Sequence, residues 1–425
     1  MFYELKRQIE YFLKNKIYMA SLIIAAIAGY GYEITHSSLG IDDVCIGLYF
    51  DDGLGVSIGR WPFYVINKIF HVTEFEPFIL EFIAVLIFMF AAIVWSAVLR
   101  YVLGDKLPIA CYAVFSAMLL DYSLIAEVFI YYLQNGVPII YAIVAVAVFD
   151  FYYLYTHNLE QKQRILHKFG MSLIVSVAIG FYEAAANVFL TGMLLIMIVD
   201  CFGANRMQIR KFKQFFMSLF LIGRILVYAI LERSLITRAC MAVFGIEPYS
   251  YRSAGSMLRI LKYPGRILTI IRQILRDYVF VGLAYYPIGL FVAASILFVI
   301  IILAAAVKKR NVYILFLGIL CYGSIFILSL PQGDALPYRS NLMIGLLVAM
   351  VLFCLTYLIL KSRYRLVNVV GMILVIAVVY NSAFDLNHWF AFEYEKNQSE
   401  IAVVDQVVKD SIANSLFKEA NEIKK

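Results

Sequence analysis

Residues 170–201 read GMSLIVSVAIGFYEAAANVFLTGMLLIMIVDC, an almost unbroken apolar run, and whether it is one helix or two decides the fold. Its flanks settle the question. Lys162, Arg164 and Lys168 precede it, and Arg206, Arg210, Lys211 and Lys213 follow it. Basic residues beside membrane spans stay on the cytoplasmic side, so a run with two basic flanks goes out and comes back. The expectation is two short or broken helices, near residues 170–182 and 184–201, with a tip at Tyr182 and Glu183.

Working outward, the chain of 425 residues is 63% hydrophobic and 15% charged, against roughly 45–50% and 25% in soluble domains. That excludes a soluble enzyme, because the composition supplies no charged exterior. A spanning helix needs roughly 20 mostly apolar residues. Eleven candidates appear, near residues 17–35, 77–99, 107–127, 136–156, 170–182, 184–201, 214–231, 283–306, 312–330, 341–360 and 366–383. The fold class expected is an all-α polytopic membrane protein with interfacial helices on the extracytoplasmic side.

With the N-terminus inside, Lys6, Arg7, Lys14 and Lys16, then Arg100 and Lys106, then Lys308, Lys309 and Arg310, then Lys361, Arg363 and Arg365 all fall in the cytoplasm. The core is expected over residues 1–383, with a first outer loop at 35–77, a long basic outer loop at 232–282 and an extracytoplasmic tail at 384–425. Ala26-Ile27-Ala28 fits a signal-cleavage site loosely, and a retained anchor is the expectation. The formal charge of +7 reflects topology and not nucleic-acid binding. No P-loop, dinucleotide fingerprint or His/Cys metal spacing is present in the sequence.

Ionisable groups in or beside hydrocarbon are costly and point to function. The first outer loop holds Asp42, Asp43, Asp51 and Asp52 before a Gly59-Arg60-Trp61-Pro62 turn and a short apolar helix suited to the membrane boundary. Paired aspartates suit a general base or a divalent-ion site; a solvated turn is the plainer alternative. Asp121, 13 residues past Pro108 and hence about 20 Å from the inner boundary, and Glu127 beyond it approach the outer surface. Glu183 at the hairpin tip and Arg339 in a two-proline loop lie at the same end. These residues are expected to ring a cavity open to the outer leaflet. Arg224, midway along its span, is read as a structural salt-bridge partner. Residues 263–278 form an amphipathic helix expected to lie flat on the outer leaflet.

This layout resembles the GT-C class of membrane glycosyltransferases and, more narrowly, the Gtr-type glucosyltransferases that modify bacterial O-antigen. The residues carrying the resemblance are Ile41-Asp42-Asp43, Gly59-Arg60-Trp61, Phe181-Tyr182-Glu183 and Pro337-Tyr338-Arg339. It implies transfer of glucose or a related hexose from a polyprenyl-phosphate donor to a hydroxyl of a surface glycan, at the outer face of a bacterial plasma membrane. Under it Asp42 or Asp43 is the catalytic base, Arg60 and Arg339 bind the donor phosphate, and Trp61, Tyr182 and Glu183 bind sugar. Asp51, Asp52, Asp121 and Glu127 are additional candidates. No cofactor is required, and a divalent cation on the aspartates is an option. Partners would be the lipid-linked donor, the glycan acceptor and membrane lipids, with no nucleic acid. A lipid-linked oligosaccharide flippase or transporter, and a glycan polymerase or ligase using residues 232–282, are the competing readings. A flippase should carry its polar sites near the midplane in repeated halves, and no such repeat is evident.

Overall fold

The computed structural model describes residues 1–36, 53–70, 77–105, 107–129, 136–203, 206–207, 209, 211–247, 259–281 and 287–423. In chain order the helices are α1 (Phe2–Lys14), α2 (Lys16–Thr35), α3 (Gly53–Ser57), α4 (Trp61–Phe70), α5 (Pro77–Leu103), α6 (Ile109–Asp121), α7 (Ala126–Phe129), α8 (Val137–Thr156) and α9 (Gln161–Phe181). They continue as α10 (Ala185–Asp200), α11 (Phe212–Phe244), α12 (Arg259–Lys262), α13 (Arg266–Arg276), α14 (Ile288–Lys309), α15 (Tyr313–Gly323), α16 (Ser329–Gln332), α17 (Met343–Leu360) and α18 (Arg365–Ile423). Among the described residues nine helices are long and apolar enough to cross a membrane, and two shorter apolar ones cover Ile109–Ile125 and Ala185–Asp200. The chain is therefore an all-α multi-pass membrane protein. Each of the eleven expected spans is helical over most of its described residues, as lipid demands of any backbone that must satisfy its own hydrogen bonds.

The deciding run is a hairpin. Helix α9 stops at Phe181, Tyr182 is extended, and α10 starts at Ala185. The far ends of both legs meet the end of α8: His167 of α9 lies 2.5 Å from Asp150, and the Tyr152 hydroxyl donates to Asp200 of α10 at 2.7 Å. At the tip, Asn187 donates to the Ser340 carbonyl at 3.2 Å and to Asn341 Oδ1 at 3.1 Å. The legs are antiparallel, with basic flanks at one end of the bundle. That end also holds Arg206 over the Tyr101 ring (5.6 Å) and Asn311 bonded to the Ile209 carbonyl (2.7 Å).

Lipid offers no hydrophobic drive between helices, so close packing and interhelical hydrogen bonds hold the bundle together. Gly192 allows α10 to touch α5, since a Cβ there would sit 2.6 Å from Trp95 Cη2. Tyr18, Ser96 and Ser116 join α2, α5 and α6 through a buried hydroxyl triad, with Tyr18–Ser116 at 2.7 Å and Ser96–Ser116 at 2.9 Å.

Three features go beyond the sequence reading. The basic N-terminus is the amphipathic helix α1, which buries Leu5, Gln8 and Phe12 and sets Gln8 and Tyr11 against Arg100 at the basic end. Helix α11 runs past Glu232, where the long loop was expected to begin, because residues 232–244 contain no Gly or Pro; it ends at Gly245 with φ +68°. Helix α18 likewise passes unbroken through the boundary expected at residue 383, since Met372 to Ile423 lack both helix breakers. Arg224 corrects an expectation. It is exposed on α11 and donates to the Tyr228 hydroxyl at 3.4 Å, and no carboxylate among the described residues reaches it.

Candidate functional site

The site is built where the hairpin tip meets the turn before α4. Helix α3 is closed by Gly59 N–H to the Val56 carbonyl (2.9 Å) and Arg60 N–H to the Gly55 carbonyl (2.7 Å). Gly59 has φ +90°, a left-handed value that disfavours any side chain. A second constraint acts on it, because a Cβ there would lie 2.6 Å from Arg233 Nη2. Helix α4 then leans on α9 at Gly180, where a Cβ would lie 2.9 Å from Pro62 Cγ and 3.0 Å from Trp61 Nε1.

Glu183 is the electrostatic centre. Its carboxylate accepts from Arg233 Nη2 at 2.9 Å and lies 3.6 Å from Arg60 Nη2. Arg233 also donates through Nε to the Gly59 carbonyl at 3.2 Å and through Nη2 to the Ile58 carbonyl at 3.5 Å. The Arg60 guanidinium stacks over the Tyr182 ring at 4.8 Å. Both arginines are 9% exposed, and charges this buried persist only when paired. Yet Arg60 Nε and Trp61 Nε1, on consecutive residues, are buried donors with no hydrogen-bond partner among the described residues. Native proteins rarely leave such groups unsatisfied, so Arg60 Nε marks a place for an acceptor.

A second ion pair adjoins the first. Glu127, in α7 just after the kink at Tyr122, accepts both the backbone N–H and the Nη1 of Arg339, each at 3.1 Å. The 338–341 turn that carries Arg339 is tied down by Tyr338 donating to the Asp277 carbonyl (2.7 Å) and Asn341 donating to the Tyr278 hydroxyl (2.6 Å). The hairpin tip meets this turn through Asn187, which donates to the Ser340 carbonyl at 3.2 Å and to Asn341 Oδ1 at 3.1 Å, so the two pairs lie on neighbouring elements.

Of the residues expected from sequence, the structure brings together Arg60, Trp61, Tyr182, Glu183, Glu127 and Arg339. Asp121 does not join them, which corrects the expectation of a cavity-lining role. Its side chain is 0% exposed, with both carboxyl oxygens unpartnered, and it packs beside Gly29 and Leu386, between α2, α6 and α18. Depth along a helix predicts its height, but the helical phase turns it to the other side. Asp42, Asp43, Asp51 and Asp52 lie outside the described residues. Among the described residues no group of three or more His, Cys, Asp or Glu could hold a metal ion.

Sequence reading missed Arg233, having placed it in a loop. A signal was available: Arg233 lies 20 residues past Lys213 on an uninterrupted apolar helix, about 30 Å and hence one hydrocarbon thickness away. The basic face of α13 carries its own pairs: Arg266 lies 3.8 Å from Asp334 and Arg276 3.3 Å from Asp277.

No curated protein and no solved structure matches the chain at a significant level. The family described as glucosyl transferase GtrII matches residues 31–356, a range that includes every residue of the cluster, and the chain belongs to that family of glucosyltransferases.

Proposed function

We propose that the chain moves glucose, or a related hexose, from a polyprenyl-phosphate carrier to a hydroxyl of a surface glycan, as a GT-C type enzyme of the bacterial plasma membrane. The observation that carries this reading is the buried cluster with two arginines on Glu183, a third on Glu127, and an Arg60 Nε with no partner among the described residues. The arginines supply the positive charge that a phosphodiester monoanion calls for. The cluster sits at the end opposite the Lys- and Arg-rich flanks, which the positive-inside rule assigns to the extracytoplasmic side.

In this reading Asp42 or Asp43 takes the proton of the acceptor hydroxyl as its oxygen attacks the anomeric carbon. The bond from that carbon to the phosphate oxygen breaks, inverting the centre, and the lipid phosphate leaves with a second negative charge. Arg60 and Arg339 stabilise that charge, which is larger in the transition state than in the bound donor. Trp61 and Tyr182 offer aromatic faces to the sugar. Glu183, expected at the sugar, serves mainly as the counter-ion fixing the guanidiniums, and Glu127 fixes Arg339. The chemistry needs no cofactor, and a divalent cation held by the loop aspartates, Asp51 and Asp52 included, would assist the departing phosphate.

The test is to make Asp42→Asn and Asp43→Asn separately and measure transfer from polyprenyl-phosphate-glucose in membranes. One of them should lose about 10²–10⁴-fold in rate, the usual contribution of a positioned base. Full activity in both overturns the base assignment. Labelling of Asp43→Cys from the cytoplasmic side alone overturns the sidedness.

A further inference from the structure

Two arginines share Glu183, but they are not equivalent. Arg233 directs Nε and Nη2 to three protein acceptors, the Gly59 and Ile58 carbonyls and the Glu183 carboxylate. Arg60 has a single contact to that carboxylate at 3.6 Å, beyond hydrogen-bond range, and an Nε with no partner among the described residues. One guanidinium is engaged with the protein, and the other is poised for something else.

We propose that Arg233 is a positioning residue that clamps the Ile58–Gly59 backbone to the hairpin tip, and that Arg60 is the arm this clamp aims at the donor phosphate. The phosphate's identity rests on the function proposed above; the clamp does not.

The geometry supports the division of labour in three ways. First, the clamp grips the peptide units immediately before Arg60, so it fixes where the Arg60 side chain starts. Second, the grip demands the forked guanidinium, since a lysine ammonium cannot reach the turn and Glu183 with the same rigid geometry. Third, Gly59 leaves room for it: a Cβ there would lie 2.6 Å from Arg233 Nη2, so a side chain would push the guanidinium from its place.

The sharing of Glu183 then has a chemical use. While the donor is a monoanion, Arg60 meets it from its long contact with Glu183. As the anomeric C–O bond lengthens, a second negative charge grows on the phosphate oxygen. Arg60 can shift toward it from its long contact with Glu183, and Arg233 remains to neutralise the carboxylate. The acceptor oxygen forms the new bond to the anomeric carbon, its proton passes to the aspartate base, and the leaving group is the polyprenyl phosphate.

The experiment combines kinetics with a readout that needs no substrate. The chain has three tryptophans, so 5-fluorotryptophan labelling of the full-length protein gives three fluorine resonances, with Trp61 assigned by Trp61→Phe. Arg233→Lys should shift the Trp61 resonance and leave those of Trp95 and Trp389 in place. It should lower kcat about 10²-fold, as misplacement by about 1 Å does, with the donor KM changed less than about threefold. Arg60→Gln should cost about 10²–10³-fold alone and less than about tenfold when added to Arg233→Lys, because both act through one guanidinium. Should Arg233→Lys fail to fold, Gly59→Ala disturbs the same grip from the other side and should reproduce its effects. A wild-type kcat in Arg233→Lys, additive losses in the double variant, or an unmoved Trp61 resonance each overturn the proposal. If the wild-type protein transfers nothing from polyprenyl-phosphate-glucose, the proposed donor is wrong. The Trp61 resonance then decides the clamp alone: a shift upholds it and its absence overturns it.

Discussion

Gly180 offers the sharpest test of how the site is held. It is the point on α9 where α4 leans in, and an added Cβ would meet Pro62 Cγ at 2.9 Å and Trp61 Nε1 at 3.0 Å. Ordinary carbon contacts are about 3.5–4.0 Å, so Gly180→Ala must push the Trp61–Pro62 corner back by about half an ångström. The Pro62 ring is closed onto the backbone and cannot rotate away, so the corner itself must move. Displacement of a reacting constellation by about 1 Å costs about 10²-fold in rate, and forcing a methyl into a packed contact costs about 1–3 kcal/mol of stability. Gly170→Ala on the same helix is the control: nothing lies within 4 Å of its new Cβ. There the gain in helix propensity, about 0.5–1 kcal/mol, should appear unopposed. The assay is transfer rate and thermal midpoint of both variants in one detergent. Gly180→Ala at wild-type rate, or the two variants losing equal activity, would refute the idea that close approach of α4 to α9 sets the site.

Two further outcomes follow from the same geometry. Glu127→Gln leaves one acceptor where Arg339 now uses two carboxylate oxygens, and the lost charge-assisted bond should cost about 1.5–3 kcal/mol, read as a lower thermal midpoint alongside weaker transfer; an unchanged midpoint would remove Glu127 as the anchor of Arg339. Tyr18→Phe deletes one member of the buried hydroxyl triad and leaves the Ser96–Ser116 bond intact, so it should cost about 0.6 kcal/mol and at most about 1.7; a larger loss would mean that the triad, and not side-chain packing, holds α2 to α5 and α6.

Much of the fold could be read from hydropathy and charge because lipid enforces both. The eleven spans, the break at Tyr182 and the helix after the Gly59-Arg60-Trp61 turn all follow from run length, basic flanks and a proline at a helix start. What could not be read was where helices leave the membrane. Hydropathy falls at Glu232 and after residue 383, yet α11 and α18 continue, since helix propensity does not end where lipid does. The amphipathic α1 was hidden for a related reason: its lysines and arginines served as topology markers, and their spacing around Leu5, Gln8 and Phe12 was left unread.

The site was legible in one coordinate and not in another. Basic flanks and loop position put Arg60, Glu183 and Arg339 at one end of the bundle, and for Glu127 the count of ~1.5 Å per residue gives the same depth. It gives no azimuth. Asp121 has suitable depth and faces α2 and α18. Helix α11 makes the same point with two arginines. Arg224 and Arg233 are nine residues apart, about two and a half turns, which sets them on opposite faces of one helix. Arg224, the one expected to form a structural ion pair, turns outward to Phe220 and Tyr228. Arg233, read as a loop residue, turns inward to Gly59 and Glu183. Taking Arg233 and Glu183 as a pair at matched depth then fixes the rotation of α11 about its axis, and that rotation is what puts Arg224 against the aromatic rings on the exposed side. One ion pair at the membrane boundary therefore accounts for the placement of both arginines.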